Sequence, residues 1–133
     1  MGVLSMKPLT AEWVSKAESD YLSAKREYRA RKHPNYDLTA FLAQQCAEKY
    51  LKGRLQEAGQ EIAKTHNLVH LLDSCVSYEP LWEALRTSLT VLNTYAVAFR
   101  YPGEYADKET AKDALRIAAE LRRLARESLR ISD

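Results

Sequence analysis

Glycine and proline are scarce in this chain, four of each in 133 residues, and cysteine appears only twice. So little glycine and proline excludes collagen-like and low-complexity disordered chains. Two cysteines are too few for a disulfide framework, and Cys46 and Cys75 fall inside apolar helical patterns, where a buried free thiol is the ordinary state. Long apolar runs are absent too. The longest mainly apolar stretch, Val91 to Phe99, is interrupted by Asn93 and Thr94 and falls short of the roughly 18 residues that a membrane-spanning helix needs. Met1 to Leu9 holds one Lys and no long apolar core, so it resembles neither a secretory signal nor a transit peptide, and a cytoplasmic location is the expectation. Neither sign of charge dominates: 20 Lys plus Arg stand against 18 Asp plus Glu, a net +2, too balanced to announce a nucleic-acid binder by itself. The chain also lacks a phosphate-binding glycine loop, a Cys-x-x-Cys pair, a nucleophile elbow and an EF-hand loop, which disfavours an independent metal enzyme or hydrolase.

What is abundant is Ala, Leu, Arg, Glu and Lys, with apolar residues recurring at three and four positions, the period of amphipathic helices. A first helix is expected from about Thr10, as N-cap, to Ala30, with Trp13, Ala17, Tyr21, Ala24 and Tyr28 as its inner stripe. Pro34 breaks it, and Asp37 is expected to cap a second helix, about Leu38 to Ala58, closed by Gly59. Phe41, Ala43, Ala47, Tyr50, Leu51 and Leu55 make the apolar surface of that helix wider than one stripe, which marks it as central. A short third helix, Leu68 to Val76, is capped by Thr65 or Asn67. Pro80 opens a fourth with Leu81, Leu85, Leu89, Leu92, Ala96 and Phe99 inward, stopped at Tyr101-Pro102-Gly103. Asp107 or a neighbour starts the last, whose Ala111, Ala114, Leu115, Ala118, Leu121, Ala125 and Leu129 repeat at helical spacing. The sum is an all-α, up-and-down helical bundle of four long helices plus one short helix, in a single domain over residues 1–133 with its core at about 10–130. A chain this long buries about two thirds of its unfolded surface, enough for a core without staples.

Four clusters carry polar chemistry. Gln44, Gln45, Glu48, Lys49 and Lys52 lie on the second helix, where Gln45 to Lys49 and Glu48 to Lys52 are neighbours four apart. They read either as ordinary surface pairs or as a polar strip beside a core that needs partners. Lys64-Thr65-His66-Asn67-Leu68 is followed by His70, but the two histidines lack the third ligand a zinc site needs, so no metal is expected. His66 reads as a residue tying the loop to a helix end. Arg100, Tyr101 and Tyr105 surround a helix end, where Arg100 either complements the helix dipole or grips phosphate through its rigid donor fork. The run Lys25 to Lys32 and the arginines from Arg116 to Arg130 are basic, either as solvated helix surfaces or as a phosphate-backbone footprint.

Ala43-Gln44-Gln45-Cys46-Ala47-Glu48-Lys49-Tyr50-Leu51-Lys52, then Lys64-Thr65-His66-Asn67-Leu68, then Arg100-Tyr101-Pro102 resemble the motifs of the HEPN domain (higher eukaryotes and prokaryotes nucleotide-binding), over about Trp13 to Leu129. The resemblance implies a helical bundle that commonly forms a homodimer and has a nucleotide or RNA connection. Members are often encoded beside a minimal nucleotidyltransferase partner as a toxin-antitoxin pair, and others are metal-independent endoribonucleases. In the nuclease branch an Arg is followed after four to six residues by a His. Arg100 matches that Arg, but Tyr105, Ala106 and Asp107 stand where the His belongs. Imidazole suits proton transfer near neutral pH, and tyrosine, with an ordinary pKa near 10, suits it poorly. The expectation is therefore a non-catalytic module with no cofactor. Its ligand-binding residues would be Arg100, Tyr101, Gln45, Glu48, Lys49, Lys52, Thr65 and His66. The alternatives are a ribonuclease pairing Arg100 with Tyr105 or His66, and a structural dimerisation unit.

Overall fold

The computed structural model describes residues 6–132, so the part of the leader reading that falls on residues 1–5 lies outside the described residues. Five α-helices follow in order: α1 (Pro8–Arg29), α2 (Tyr36–Glu57), α3 (Leu68–Cys75), α4 (Arg86–Ala98) and α5 (Lys108–Ser128), with a 3-10 helix at Pro80–Leu85 leading into α4. There is no strand among the described residues, and no helix is long and apolar enough to cross a membrane.

Helix α2 is the axis of the bundle and packs against α1, α3, α4 and α5. Its breadth of apolar residues makes this possible: Ala40, Ala43, Cys46, Ala47, Tyr50 and Leu51 are all fully buried. The small side chains let neighbours come near, and α5 answers with Ala111, Ala114, Ala118 and Ala125, also fully buried. At the α1 crossing, a Cβ on Gly53 would lie 3.3 Å from the Trp13 Cβ. A residue with no side chain at that point permits the close approach. Leu72, Leu89, Leu92, Ile117 and Leu121 complete one hydrophobic core. Both cysteines are free and buried in it, and burial pushes the Cys75 thiol up to about 12.

Helix ends depart from the sequence expectation in three places. Pro8, with its preset φ, opens α1 two residues before Thr10, and Lys7 is the N-cap. Thr10 is instead fully buried, and its hydroxyl donates to Glu57 Oε1 at 2.9 Å, joining the start of α1 to the end of α2. The cap of α2 is Asn35, whose side chain accepts from the Leu38 amide at 3.0 Å. Asp37 reaches across the bundle and accepts from the Ala106 amide at 2.6 Å. The segment opened by Pro80 is a 3-10 helix before it becomes α4, and Leu81 is 89% exposed. Trp82 and Leu85, three apart, are the residues that segment buries, and three residues per turn places them on one face. The caps at Asn67 and Asp107 fall where expected, each side chain accepting from first-turn amides. Gly59 closes the turn after α2 with φ +78, in the left-handed region that glycine adopts freely.

A clasp of charges binds α1, α2 and α5. Arg122 donates through Nε and Nη2 to the Glu18 carboxylate at 2.5 to 3.0 Å. The Tyr50 hydroxyl donates to Glu18 Oε2 at 2.5 Å, and Arg126 Nη1 donates to the Tyr50 oxygen at 3.4 Å. Burial pushes the Glu18 carboxyl up, but the hydrogen bonds from Arg122 and Tyr50 and the two guanidinium charges outweigh it and hold it below the ordinary carboxylate value.

Candidate functional site

On the side of α2 toward α3 and α4, a cleft of about 450 Å³ opens. Helix α2 supplies Phe41, Gln44 and Gln45, the loop before α3 supplies His66 and Asn67, and α4 with its following turn supplies Asn93, Ala96, Val97 and Arg100. Hydrogen bonds set this wall. Gln44, buried, donates to the His66 carbonyl at 2.9 Å and accepts from Gln45 Nε2 at 2.9 Å, which fixes the loop against α2. Asn67 Oδ1 accepts from the Val69 and His70 amides and from Asn93 Nδ2, while Asn93 Oδ1 accepts from the Leu68 amide at 2.9 Å. The positive end of α3 is thereby held at the cleft by side chains from two elements.

Behind the wall, Lys52 Nζ donates to Glu48 Oε2 at 3.0 Å, and His66 Nδ1 lies 3.0 Å from Glu48 Oε1. The Glu48 and Lys52 side chains are 4% and 8% exposed, whereas that of His66 is 82% exposed. The Glu48 to Lys52 pair is thus a buried ion pair and not the solvent-facing pair that spacing alone suggests. A carboxylate only accepts, so Nδ1 carries the proton in this bond. His66 therefore ties its loop to the middle of α2, and not to a helix end.

Arg100 sits just past α4. Its Nε donates to the Ala96 carbonyl at 3.3 Å. Among the described residues its terminal nitrogens have no hydrogen-bond partner and no carboxylate lies within ion-pair distance, in contrast to Arg86, Arg116, Arg122 and Arg123. A guanidinium left this way, in one cleft with Gln45 and His66, is a donor fork suited to phosphate.

Of the residues expected at the site, Arg100, Gln45 and His66 line the cleft together. Glu48 and Lys52 stand behind His66. Lys49 turns away to Asp20 on α1, with Nζ 2.6 Å from Oδ2. Thr65 accepts from the Asn67 amide at 3.1 Å and serves the loop. Tyr101 and Tyr105 are 69% and 74% exposed, and neither lines the cleft. Phe41, read from sequence as a core residue, is 41% exposed and faces the cleft. Asn93 lies outside the set of residues expected at the site, and its signal in the sequence is a polar side chain interrupting the apolar run of α4. The basic stretches of α1 and α5 also meet: Lys25 and Arg29 line a separate shallow groove of about 250 Å³ with Lys112, Arg116, Tyr21 and Tyr28. Among the described residues, no group of three or more His, Cys, Asp or Glu gathers as a metal site.

A bundle organised on one buried central helix, with polar motifs from α2, the α3 loop and the end of α4 converging on a cleft, defines a class of all-helical domain. The HEPN domain family matches residues 10–128, and the chain belongs to that family. Among solved structures it is similar to TT1696 from Thermus thermophilus, with 26% identity and a TM-score of 0.77 over 89% of this chain and 96% of that one. It is likewise similar to ST0689, an archaeal HEPN homologue, with 26% identity and a TM-score of 0.72 over 90% of this chain and 97% of that one. No curated protein gives a significant match.

Proposed function

We propose that this HEPN domain binds a nucleotide or RNA by its phosphate in the α2, α3 and α4 cleft, with Arg100 as the anchor. The observation that carries this reading is the Arg100 guanidinium, without a carboxylate partner among the described residues, lining one cleft with His66, Gln45 and Asn67. Gln45 and Asn67 offer amide groups for base or sugar, and Phe41 offers a ring face. The setting is a cytoplasmic one. The domain acts as a homodimer alongside a minimal nucleotidyltransferase partner, in the manner of a two-gene toxin and antitoxin pair. Support for a second copy comes from Leu38, Phe41 and Val97, which are 37%, 41% and 57% exposed and lie on the helices that frame the cleft.

The test is a titration of the chain with nucleoside phosphates and short oligoribonucleotides, repeated with Arg100→Ala and in the presence of the partner enzyme. Losing a charge-assisted hydrogen-bond pair costs about 1.5 to 3 kcal/mol, so affinity should fall roughly tenfold to a hundredfold. Equal affinity for the variant, or no binding by the wild type, removes the proposal. Sedimentation at micromolar concentration reports the dimer. If the polar motifs only brace a dimerisation unit, Arg100→Ala will leave every binding curve unchanged.

A further inference from the structure

We propose that the chain carries a second binding site, separate from the cleft, at the C-terminal ends of α2 and α5, and that it takes a small organic carboxylate held by Arg54 and Arg130. A cavity of about 340 Å³ opens there, lined by Arg54, Glu57, Tyr78, Ser128 and Arg130 among others, near the low end of the range for small-molecule pockets. Arg54 stands nine residues beyond Gln45 on α2, about 14 Å along the helix axis, and the two sites share no lining residue. Arg54 is the starting point. Its Nε is shut off from water without a hydrogen-bond partner, and among the described residues it is the one buried side-chain polar atom in that state. Its terminal nitrogens likewise meet no carboxylate at ion-pair distance among the described residues. A donor left unmade costs a fold free energy, and more so on a charged group. The contact that offsets it is the Tyr78 ring, 5.4 Å from the Arg54 Cζ, whose hydroxyl accepts from Gln60 Nε2 at 2.7 Å. Stacking on a braced ring fixes the plane of the guanidinium. With Nε closed off, the terminal fork is the part that a ligand in the cavity meets.

Arg130 supplies a second, independent sign. Helix α5 ends in a Schellman turn, in which the Arg130 amide donates to the Glu127 carbonyl at 3.1 Å and the Ile131 amide to the Arg126 carbonyl at 2.9 Å. The left-handed residue of such a turn is ordinarily glycine, and here it is Arg130, with φ +59. An arginine held where glycine is easier brings a cation to the cavity, and it has no ion pair among the described residues. The Ser128 hydroxyl, also unbonded among the described residues, adds a donor. Charge then narrows the ligand. Two guanidinium groups and one carboxylate, Glu57, leave the lining with a single excess positive charge. Glu57 spends Oε1 on the Lys7 amide and the Thr10 hydroxyl, and among the described residues it pairs with neither arginine. A singly charged carboxylate cancels the excess and lies flat in the fork of a planar guanidinium, taking two parallel hydrogen bonds at once. A phosphate, more than singly charged near neutral pH, overshoots and sets its extra charge against Glu57.

The experiment follows the Arg54 Nε–H resonance of the full chain by NMR while sodium propionate, sodium phosphate or sodium chloride is added at matched ionic strength. A donor sealed from water exchanges slowly enough to be seen. Propionate should shift it to saturation, phosphate should bind more weakly, and chloride should leave it in place. Arg54→Met keeps a contact with the Tyr78 ring and should weaken propionate binding, read at the Ser128 amide, by about tenfold or more, as loss of charge-assisted hydrogen bonds predicts. Arg130→Gly suits its turn better than arginine does, so the melting temperature should not fall, while propionate binding weakens by about threefold to fivefold. Glu57→Gln should bring phosphate up to the level of propionate. Arg100→Ala, in the separate cleft, should leave the propionate titration unchanged. A shift that never saturates, an equal response to chloride, or undiminished binding in Arg54→Met overturns the site. Phosphate preferred to propionate by the wild type overturns the carboxylate assignment, and Arg130→Gly binding as the wild type does overturns the pairing of the two arginines.

Discussion

The clasp at Glu18 and the cleft at Arg100 are built from similar materials, arginine, an aromatic ring and an acid shielded from water, and they end in opposite states. In the clasp every charge is answered: two guanidinium groups and a phenol converge on one carboxylate. In the cleft, the acid Glu48 is answered from behind by Lys52 and spends its other oxygen on His66, while Arg100 keeps no acid at all among the described residues. Charged groups that satisfy one another stabilise a fold or at least avoid the penalty of burial, and leave nothing for a ligand. A charged group held at a cleft without its counterpart is kept for something that comes from outside. The difference tells the arginines that brace this fold from the one proposed above as an anchor for phosphate, where composition makes them look alike.

The sharpest way to break the comparison is to remove one partner on each side. Glu18→Gln removes the carboxylate that Arg122 and Arg126 share and should cost about 2 to 4 kcal/mol in urea unfolding, because two half-buried guanidinium groups lose a common partner. A cost below about 1 kcal/mol would mean that water already answers those arginines. Acid should expose the same asymmetry more gently. Glu18 has its carboxyl held down in the folded state. The stability it lends is therefore present above the unfolded carboxylate value of about 4.3 and is lost as pH falls through the lower folded value. Thermal unfolding followed from about pH 6 to about pH 2 should show a smaller acid slope in Glu18→Gln than in the wild type. The smallest effect belongs to Arg100→Ala, which should move stability by no more than about 0.5 kcal/mol, as for an exposed residue whose hydrogen bond among the described residues is the long one to the Ala96 carbonyl. A larger loss would recast Arg100 as a brace for the end of α4.

Much of this arrangement was legible in the linear pattern. Helical periodicity, the breaks at Pro34 and Tyr101-Pro102-Gly103, and the small residues of α2 and α5 were enough for the bundle, since each reports a local preference or a face that must be buried. Helix starts were less legible. Thr10 and Asp37 both have the side chain of an N-cap, and whether such a residue caps its own helix or reaches another element depends on what lies beside it in space. The same is true of the polar strip. Spacing made Gln45, Glu48, Lys49 and Lys52 look equivalent, yet rotation about the helix axis sends Lys49 to Asp20, Lys52 into the interior and Gln45 to the cleft.

For this protein, then, local sequence determined the helices, their order, most of their ends and the family motifs, because those depend on periodicity and on backbone preferences of neighbouring residues. Only the packed chain decided that His66 meets Glu48 and shares a cleft with Arg100, and that Arg122 finds Glu18. Pairings between residues far apart in the chain are chosen by burial and by competition for partners in three dimensions, and no spacing along the chain encodes that competition.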